Sequence, residues 1–197
     1  MSPARFAVFV SGTGRHLENL AALAKRGELP GTPALCVSNK AGVAALDRAA
    51  RAGIEALVLD PERALDAAAF SARAWSEVEA RGIETVVLAG FLRKLLVPQR
   101  WSGRVVNIHP SLLPAFGGKG FYGERVHRAV LERGCQVSGC TVHLVDDEYD
   151  HGRILLQRWC AVEADDTPAT LAARVFAEEL VALPEALRRL WSAAPRG

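Results

Sequence analysis

The sequence predicts an α/β fold: a mostly parallel twisted sheet with helices on both faces, finished by an antiparallel strand pair towards the C-terminus. Three observations predict it. Short apolar runs alternate with helix-period segments from the outset, and repeated βαβ units require parallel strands. The run IETVVLAGF at 83–91 is continuously apolar, as a strand covered on both faces must be. Beyond residue 136 the pattern changes to two β-rich runs joined by an acidic turn, the mark of a strand pair.

The elements follow in order. FAVFVS at 6–11 is a β-rich run that ends in Gly-Thr-Gly, so the first strand enters a tight loop. HLENLAALAKRG then sets Leu17, Leu20, Ala21 and Ala24 on one helical stripe, carries Lys25 and Arg26 in its last turn and stops at Gly27. PALCVSN at 33–39 is the second strand, AGVAALDRAARAGI the second helix and EALVLD at 55–60 the third strand. The alanine-rich stretch 62–81 makes a long helix, 83–91 the fourth strand and GRVVNIH at 103–109 the fifth. The β-rich runs 137–145 and 154–162 flank DDEYDHG. In the last helix Thr167 caps, Pro168 takes the first position, and Leu171, Val175, Leu180 and Leu183 form the apolar stripe. Pro184 is expected to kink or interrupt that helix.

The chain has 197 residues, half of them hydrophobic, which suits one compact domain over 1–197. No apolar run reaches membrane-spanning length and the start is unlike a secretory signal, so a cytoplasmic address away from membranes is expected. Cys36, Cys135, Cys140 and Cys160 show neither CxxC nor Cys/His metal spacing, which predicts reduced core thiols and no metal. The formal charge of +2, with Lys and Arg scattered, lacks the basic stripe of a nucleic-acid binder.

Three stretches carry candidate chemistry. SGTGRH at 11–16 brings glycines to a helix N-terminus, where backbone N–H groups suit an anion, phosphate above all. It is neither GxGxxG nor a Walker loop, so a dinucleotide or nucleoside triphosphate is unsupported, and a plain strand-to-helix glycine turn is the competing reading. In NIH, strand alternation puts Asn107 and His109 on one face at the C-terminal end of a parallel strand, the edge where open α/β sheets bind ligands. An amide and an imidazole there can polarise an acyl carbon, although a structural histidine fits the same pattern. DDEYDHG at 146–152 lacks EF-hand spacing; a carboxylate from it beside His109 would orient and help protonate the ring, but spacing does not say which acid.

NIHPSLLPAF joined to SGCTVHLVDDEYDHGRILLQ, with VVLAGFLRKL upstream and SGTGRHLENL at the start, resembles the phosphoribosylglycinamide formyltransferases, folate-dependent enzymes of purine synthesis. The likeness runs in family order over nearly the whole chain. It implies a Rossmann-like formyltransferase fold and transfer of a formyl group from 10-formyltetrahydrofolate to the amine of N1-(5-phosphoribosyl)glycinamide. The resemblance makes Asn107, His109 and Asp150 catalytic: the first two donate to the developing oxyanion, while Asp150 orients His109 and relays the amine proton through water. It places folate against Leu92, Arg93, Lys94, Leu95 and Asn107 and against the turn of Asp146, Asp147, Glu148, Tyr149 and Asp150. The ribonucleotide maps to Gly12, Thr13, Gly14, Arg15 and His16, with Lys119 and Glu179, and Thr141 and His143 lie behind the reacting groups.

Some positions depart from the family pattern. Arg15 and His16 stand where many members have Ser-Asn, DHG replaces a common DGG, and the loop AFGGKGFYGERVH is longer than usual. Arg63 matches an upstream folate-contacting Arg only with a gap. The partners implied are small molecules, with the chain a monomer or homodimer. The competing functions are another folate-dependent formyltransferase or a formyltetrahydrofolate hydrolase, both of which usually carry further domains, and a non-catalytic ligand-binding α/β module that has lost one of the trio.

Overall fold

The computed structural model describes residues 4–60 and 62–193. Among them the strands are β1 (Ala4–Val10), β2 (Gly31–Ser38), β3 (Glu55–Val58), β4 (Thr85–Ala89), β5 (Val105–His109), β6 (Val137–Leu144) and β7 (Ile154–Ala161). The helices are α1 (Arg15–Lys25), α2 (Ala44–Arg51), α3 (Ala67–Glu79), α4 (Glu124–Glu132) and α5 (Pro168–Ala193). The strands form one sheet in the order β3-β2-β1-β4-β5-β6-β7. β1 runs parallel to β2 and β4, β2 parallel to β3, and β6 antiparallel to β7. The chain divides into two compact units between Val106 and Asn107, within β5.

The first unit is the βαβαβ half. Phe6, Val8, Phe9, Leu17, Leu20, Leu35 and Phe70 are completely buried and form its core. α3 begins later than the alanine run suggests, because the Asp60 carboxylate accepts the N–H groups of Ala64 and Leu65 and bends the chain first. Asp66 then caps the helix by accepting the N–H of Ala69 at 2.8 Å. β4 ends at Ala89 because the chain turns at Gly90, whose φ is +71°.

In the second unit α5 packs on β6, β7 and α4, burying Leu171, Val175, Leu183 and Leu187 in a core that also takes Cys140, Val142, Leu156 and Cys160. Thr167 does cap, its Oγ1 accepting the N–H of Thr170. The expected interruption at Pro184 does not occur: α5 runs 26 residues with Pro184 inside it. Proline forfeits one backbone hydrogen bond there, while burial of Leu183, Pro184, Ala186 and Leu187 along one face holds the helix on both sides of the gap. The cysteines are free thiols; burial pushes Cys36 up to about 11 and Cys140 up to about 12, which keeps both protonated and inert.

Candidate active site

The three residues expected to be catalytic gather in the second unit. β5 delivers Asn107 and His109, and the acidic turn delivers Asp150, which adopts φ +56°. Gly152 allows this closure, since a Cβ there would lie 2.0 Å from the Leu144 carbonyl oxygen. His109 Nδ1 lies 3.4 Å from Asp150 Oδ2, with the two side chains 5 % and 12 % exposed. Asn107 Nδ2 donates to Asp150 Oδ1 at 3.3 Å and meets His143 Nε2 at 3.0 Å. His143 Nδ1 donates to the Leu144 carbonyl at 2.8 Å, and its Nε2 also lies 3.6 Å from Asp150 Oδ1.

The loop after β5 closes on the same groups. His109 Nε2 donates to the Phe116 carbonyl at 2.9 Å, and the Gly118 N–H donates to Asp150 Oδ2 at 2.9 Å. Both ring nitrogens of His109 thus face acceptors. Burial pushes the Asp150 carboxyl up, but His143, the charge of His109 and the Gly118 N–H together outweigh it and hold Asp150 below its ordinary value. Thr141 supports the turn behind: its Oγ1 donates to the Ser111 carbonyl and accepts from the Leu113 N–H and from Gln157.

The candidate binding segments of the first unit are built from backbone. The Gly12 carbonyl accepts the N–H of Ala45 at the start of α2. Gly14 has φ +73°, and a Cβ there would come 2.6 Å from the Ala45 Cβ, so the turn between β1 and α1 tolerates only glycine. No side-chain hydrogen bond caps α1 at Gly14, and the positive end of a helix suits an anion. Thr13 and Arg15 are exposed and His16 is buried beside them. Segment 90–96 is pinned along its length by buried side chains. The Leu92 N–H donates to Ser11 Oγ, the Leu96 N–H to Ser71 Oγ, and Trp75 Nε1 to the Leu96 carbonyl.

Arg93 turns inward. Its guanidinium pairs with Asp60 at 2.6 Å, donates to the Leu65 carbonyl at 2.6 Å and lies 4.0 Å over the Phe70 ring. A ligand at 92–95 would meet the backbone of Arg93, together with the half-exposed Leu92; Leu95 is buried.

The structure thus joins a strand-end Asn and His to a carboxylate from the acidic turn, and the formyl transferase profile matches residues 4–187. The chain belongs to the formyl transferase family. Within it, the chain is similar to phosphoribosylglycinamide formyltransferases. It is 42 % identical over 178 residues to the chloroplastic phosphoribosylglycinamide formyltransferase of Arabidopsis thaliana, covering 89 % of this chain and 61 % of that one. It is 41 % identical over 192 residues to the trifunctional purine biosynthetic protein adenosine-3 of Gallus gallus, covering 96 % of this chain but 19 % of the relative. The chain thus spans less than two thirds of either. The crystal structure of glycinamide ribonucleotide transformylase 1 from Symbiobacterium toebii is 38 % identical with a TM-score of 0.90, and the match covers 100 % of this chain and 92 % of that one.

In this member of the formyl transferase family, the structure places the other expected residues as follows. Asp146 accepts from His151 Nδ1 at 2.8 Å and from the Glu148 N–H, which shapes the turn, while Asp147, Glu148 and Tyr149 are exposed on it. Lys119 is exposed, Glu179 is 8 % exposed, and Arg63 is an exposed turn residue at φ +59°. Sequence reasoning missed His127, a buried α4 residue close enough to Glu179 and His109 to feel both charges; burial pushes its pKa down. The signal was its place between Val126 and Val130 on the buried face of α4, an apolar position taken by an imidazole. The backbone contacts of Phe116 and Gly118 had no sequence signal at all.

Proposed function

We propose that this chain, acting as one formyltransferase domain, transfers the formyl group of 10-formyltetrahydrofolate to the amine of N1-(5-phosphoribosyl)glycinamide in de novo purine biosynthesis. The observation that carries the reading is Asp150 set against both Asn107 and His109 in a single buried network. Family membership and the named relatives support the substrate pair. No helix among the described residues is long and apolar enough to cross a membrane, and a cytoplasmic address is part of the proposal.

The formyl donor supplies an acyl carbon activated for attack by an amine. Asp150, held ionised, fixes His109 through Nδ1 and so directs its Nε2–H. In the structure that hydrogen rests on the Phe116 carbonyl, and in the reaction it passes to the developing oxyanion, where a fixed donor is most effective. Asn107 adds a second donor by exchanging its longer bond, the 3.3 Å one to Asp150. His143 Nε2, 3.0 Å from the amide nitrogen, helps to hold Asn107 in place. Asp150 Oδ2 accepts the amine proton through water; the tetrahedral adduct then collapses with cleavage of the bond between the formyl carbon and the folate nitrogen, and the same proton returns through water to that departing nitrogen, leaving formylated amine and tetrahydrofolate. On the binding side, the α1 N-terminus with Gly12, Thr13, Gly14, Arg15 and His16 takes the phosphate, and Glu179 and Lys119 are assigned to the same ribonucleotide. The pinned backbone of segment 92–95 fits the flat, hydrogen-bonding edge of a pterin.

The test is to mix the protein with the ribonucleotide and a 10-formyl folate and to follow the folate absorbance. Release of deformylated folate that depends on the ribonucleotide is expected. Release at the same rate without it would make the chain a hydrolase, and no release would contradict the proposal.

A further inference from the structure

We infer that Ser11 is a positioning residue that fixes both ligand-binding segments of the first unit at once, an inference resting on the function proposed above. Ser11 follows β1 directly and is 5 % exposed. Its hydroxyl donates to Asn39 Oδ1 at 2.6 Å, and its oxygen accepts the N–H of Leu92 at 2.9 Å. Its own backbone N–H reaches the Gly90 carbonyl at 3.1 Å. A serine has one hydrogen to give; Asn39, itself 3 % exposed, takes it, which turns a lone pair towards Leu92. One buried hydroxyl therefore ties together the chain just past the ends of β2, β1 and β4.

What lies on either side gives this knot its importance. The residue after Ser11 is Gly12, where the proposed phosphate turn begins, and the residue after Leu92 is Arg93, inside the proposed cofactor segment. The far end of the cofactor segment has its own anchor, the Ser71 hydroxyl that accepts the N–H of Leu96 at 2.9 Å. The far side of the phosphate turn is held by Gly12 and Gly14 against α2. Ser11 is the point the two segments share. Neither ligand needs to touch its side chain, which is spent on Asn39 and Leu92. Binding at a helix N-terminus or along a strand-end backbone depends on where N–H and C=O groups point, and a loss of anchorage misplaces them all together.

Ser11→Ala leaves the Leu92 N–H without its acceptor and Asn39 Oδ1 without its donor, yet leaves Asn107, His109 and Asp150 untouched. The expected result is a rise in KM of about five- to fiftyfold for both the ribonucleotide and the formyl donor, with kcat within about threefold, the pattern of lost binding rather than lost chemistry. Ser71→Ala should raise the formyl-donor KM alone. Ser11→Thr, which keeps the hydroxyl, should restore both constants to near the wild-type values. If Ser11→Ala does not fold, Asn39→Ala carries the test, since it leaves the Ser11 hydroxyl unoriented and should raise both constants several-fold.

A folded variant with both constants unchanged, or only one raised, overturns the inference, as does a fall in kcat with both constants unchanged. Wild type measured in the same assay separates the two claims. If wild type shows no ribonucleotide-dependent transfer, the functional reading fails and this inference with it; if wild type is active and Ser11→Ala behaves like it, only the inference fails.

Discussion

In the first unit the segments expected to meet ligands offer backbone, and buried side chains in and around them hold that backbone still. Ser11, Ser71, Trp75 and the Arg93–Asp60 pair all point inward, and Gly14 contributes only its missing Cβ. In the second unit the arrangement is reversed. There backbone groups, the carbonyls of Phe116 and Leu144 and the N–H of Gly118, hold side chains still. Binding by backbone N–H groups needs no proton transfer and tolerates exposure, whereas moving a proton needs titratable groups in fixed contact. On the proposed function the contrast separates backbone that receives phosphate and pterin from the side chains of Asn107, His109 and Asp150 that act on the formyl group, and it can be broken in either unit independently.

The largest expected effect lies in the second unit. Asp150→Asn should lower kcat by about 10²- to 10⁴-fold, the range for loss of a general acid–base group, with the ribonucleotide constant little changed. Steady-state kinetics with both substrates saturating would show it. A variant whose KM alone rose would place Asp150 among the binding groups and erase the contrast. In the first unit Gly14→Ala forces a Cβ to 2.6 Å from Ala45 at a positive φ. Overpacking of this kind costs about 1–3 kcal/mol, and each kcal/mol lowers the melting temperature of a chain this size by roughly 2–4 °C. Calorimetric melting should show that loss together with weakened ribonucleotide binding.

A smaller effect concerns acid. Asp150 is held below its ordinary carboxylate value, so its contribution to stability is complete above about pH 4 and disappears as the pH falls through the lowered value. Urea titrations at descending pH should show a steeper loss for wild type than for Asp150→Asn. Equal slopes would mean that the network does not stabilise the ionised form. The smallest effect is expected at Lys119, an exposed loop residue. Lys119→Ala should raise the ribonucleotide KM by no more than about threefold, and less in high salt, as befits a screened surface charge.

The alternation of strands and helices and the glycine turn were legible in the sequence because they follow from local periodicity and local steric need. Asn107 and His109 were legible for the same reason, since alternation puts them on one face. Spacing could not choose Asp150 among four neighbouring acids. The choice depends on Gly152 folding the turn back onto Leu144, which aims Asp150 at β5 while Asp147 and Glu148 stay outside. Arg93 was expected beside the folate, and its side chain is committed to Asp60, 33 residues away, a partnership that no local pattern announces. Pro184 misled because proline is a helix breaker by local rule, and here the buried face of α5 outweighs the rule.

The central claim is that Asn107, His109 and Asp150 act on the formyl group and do not themselves hold the ribonucleotide. Calorimetric titration of the ribonucleotide into His109→Ala, a variant whose turnover should fall by about 10²-fold or more, tests it most directly. An affinity within about twofold of wild type is the predicted result, because the charge that His109 meets develops only as the formyl group moves. An affinity that falls in step with turnover would show His109 to be a binding group and would contradict the account.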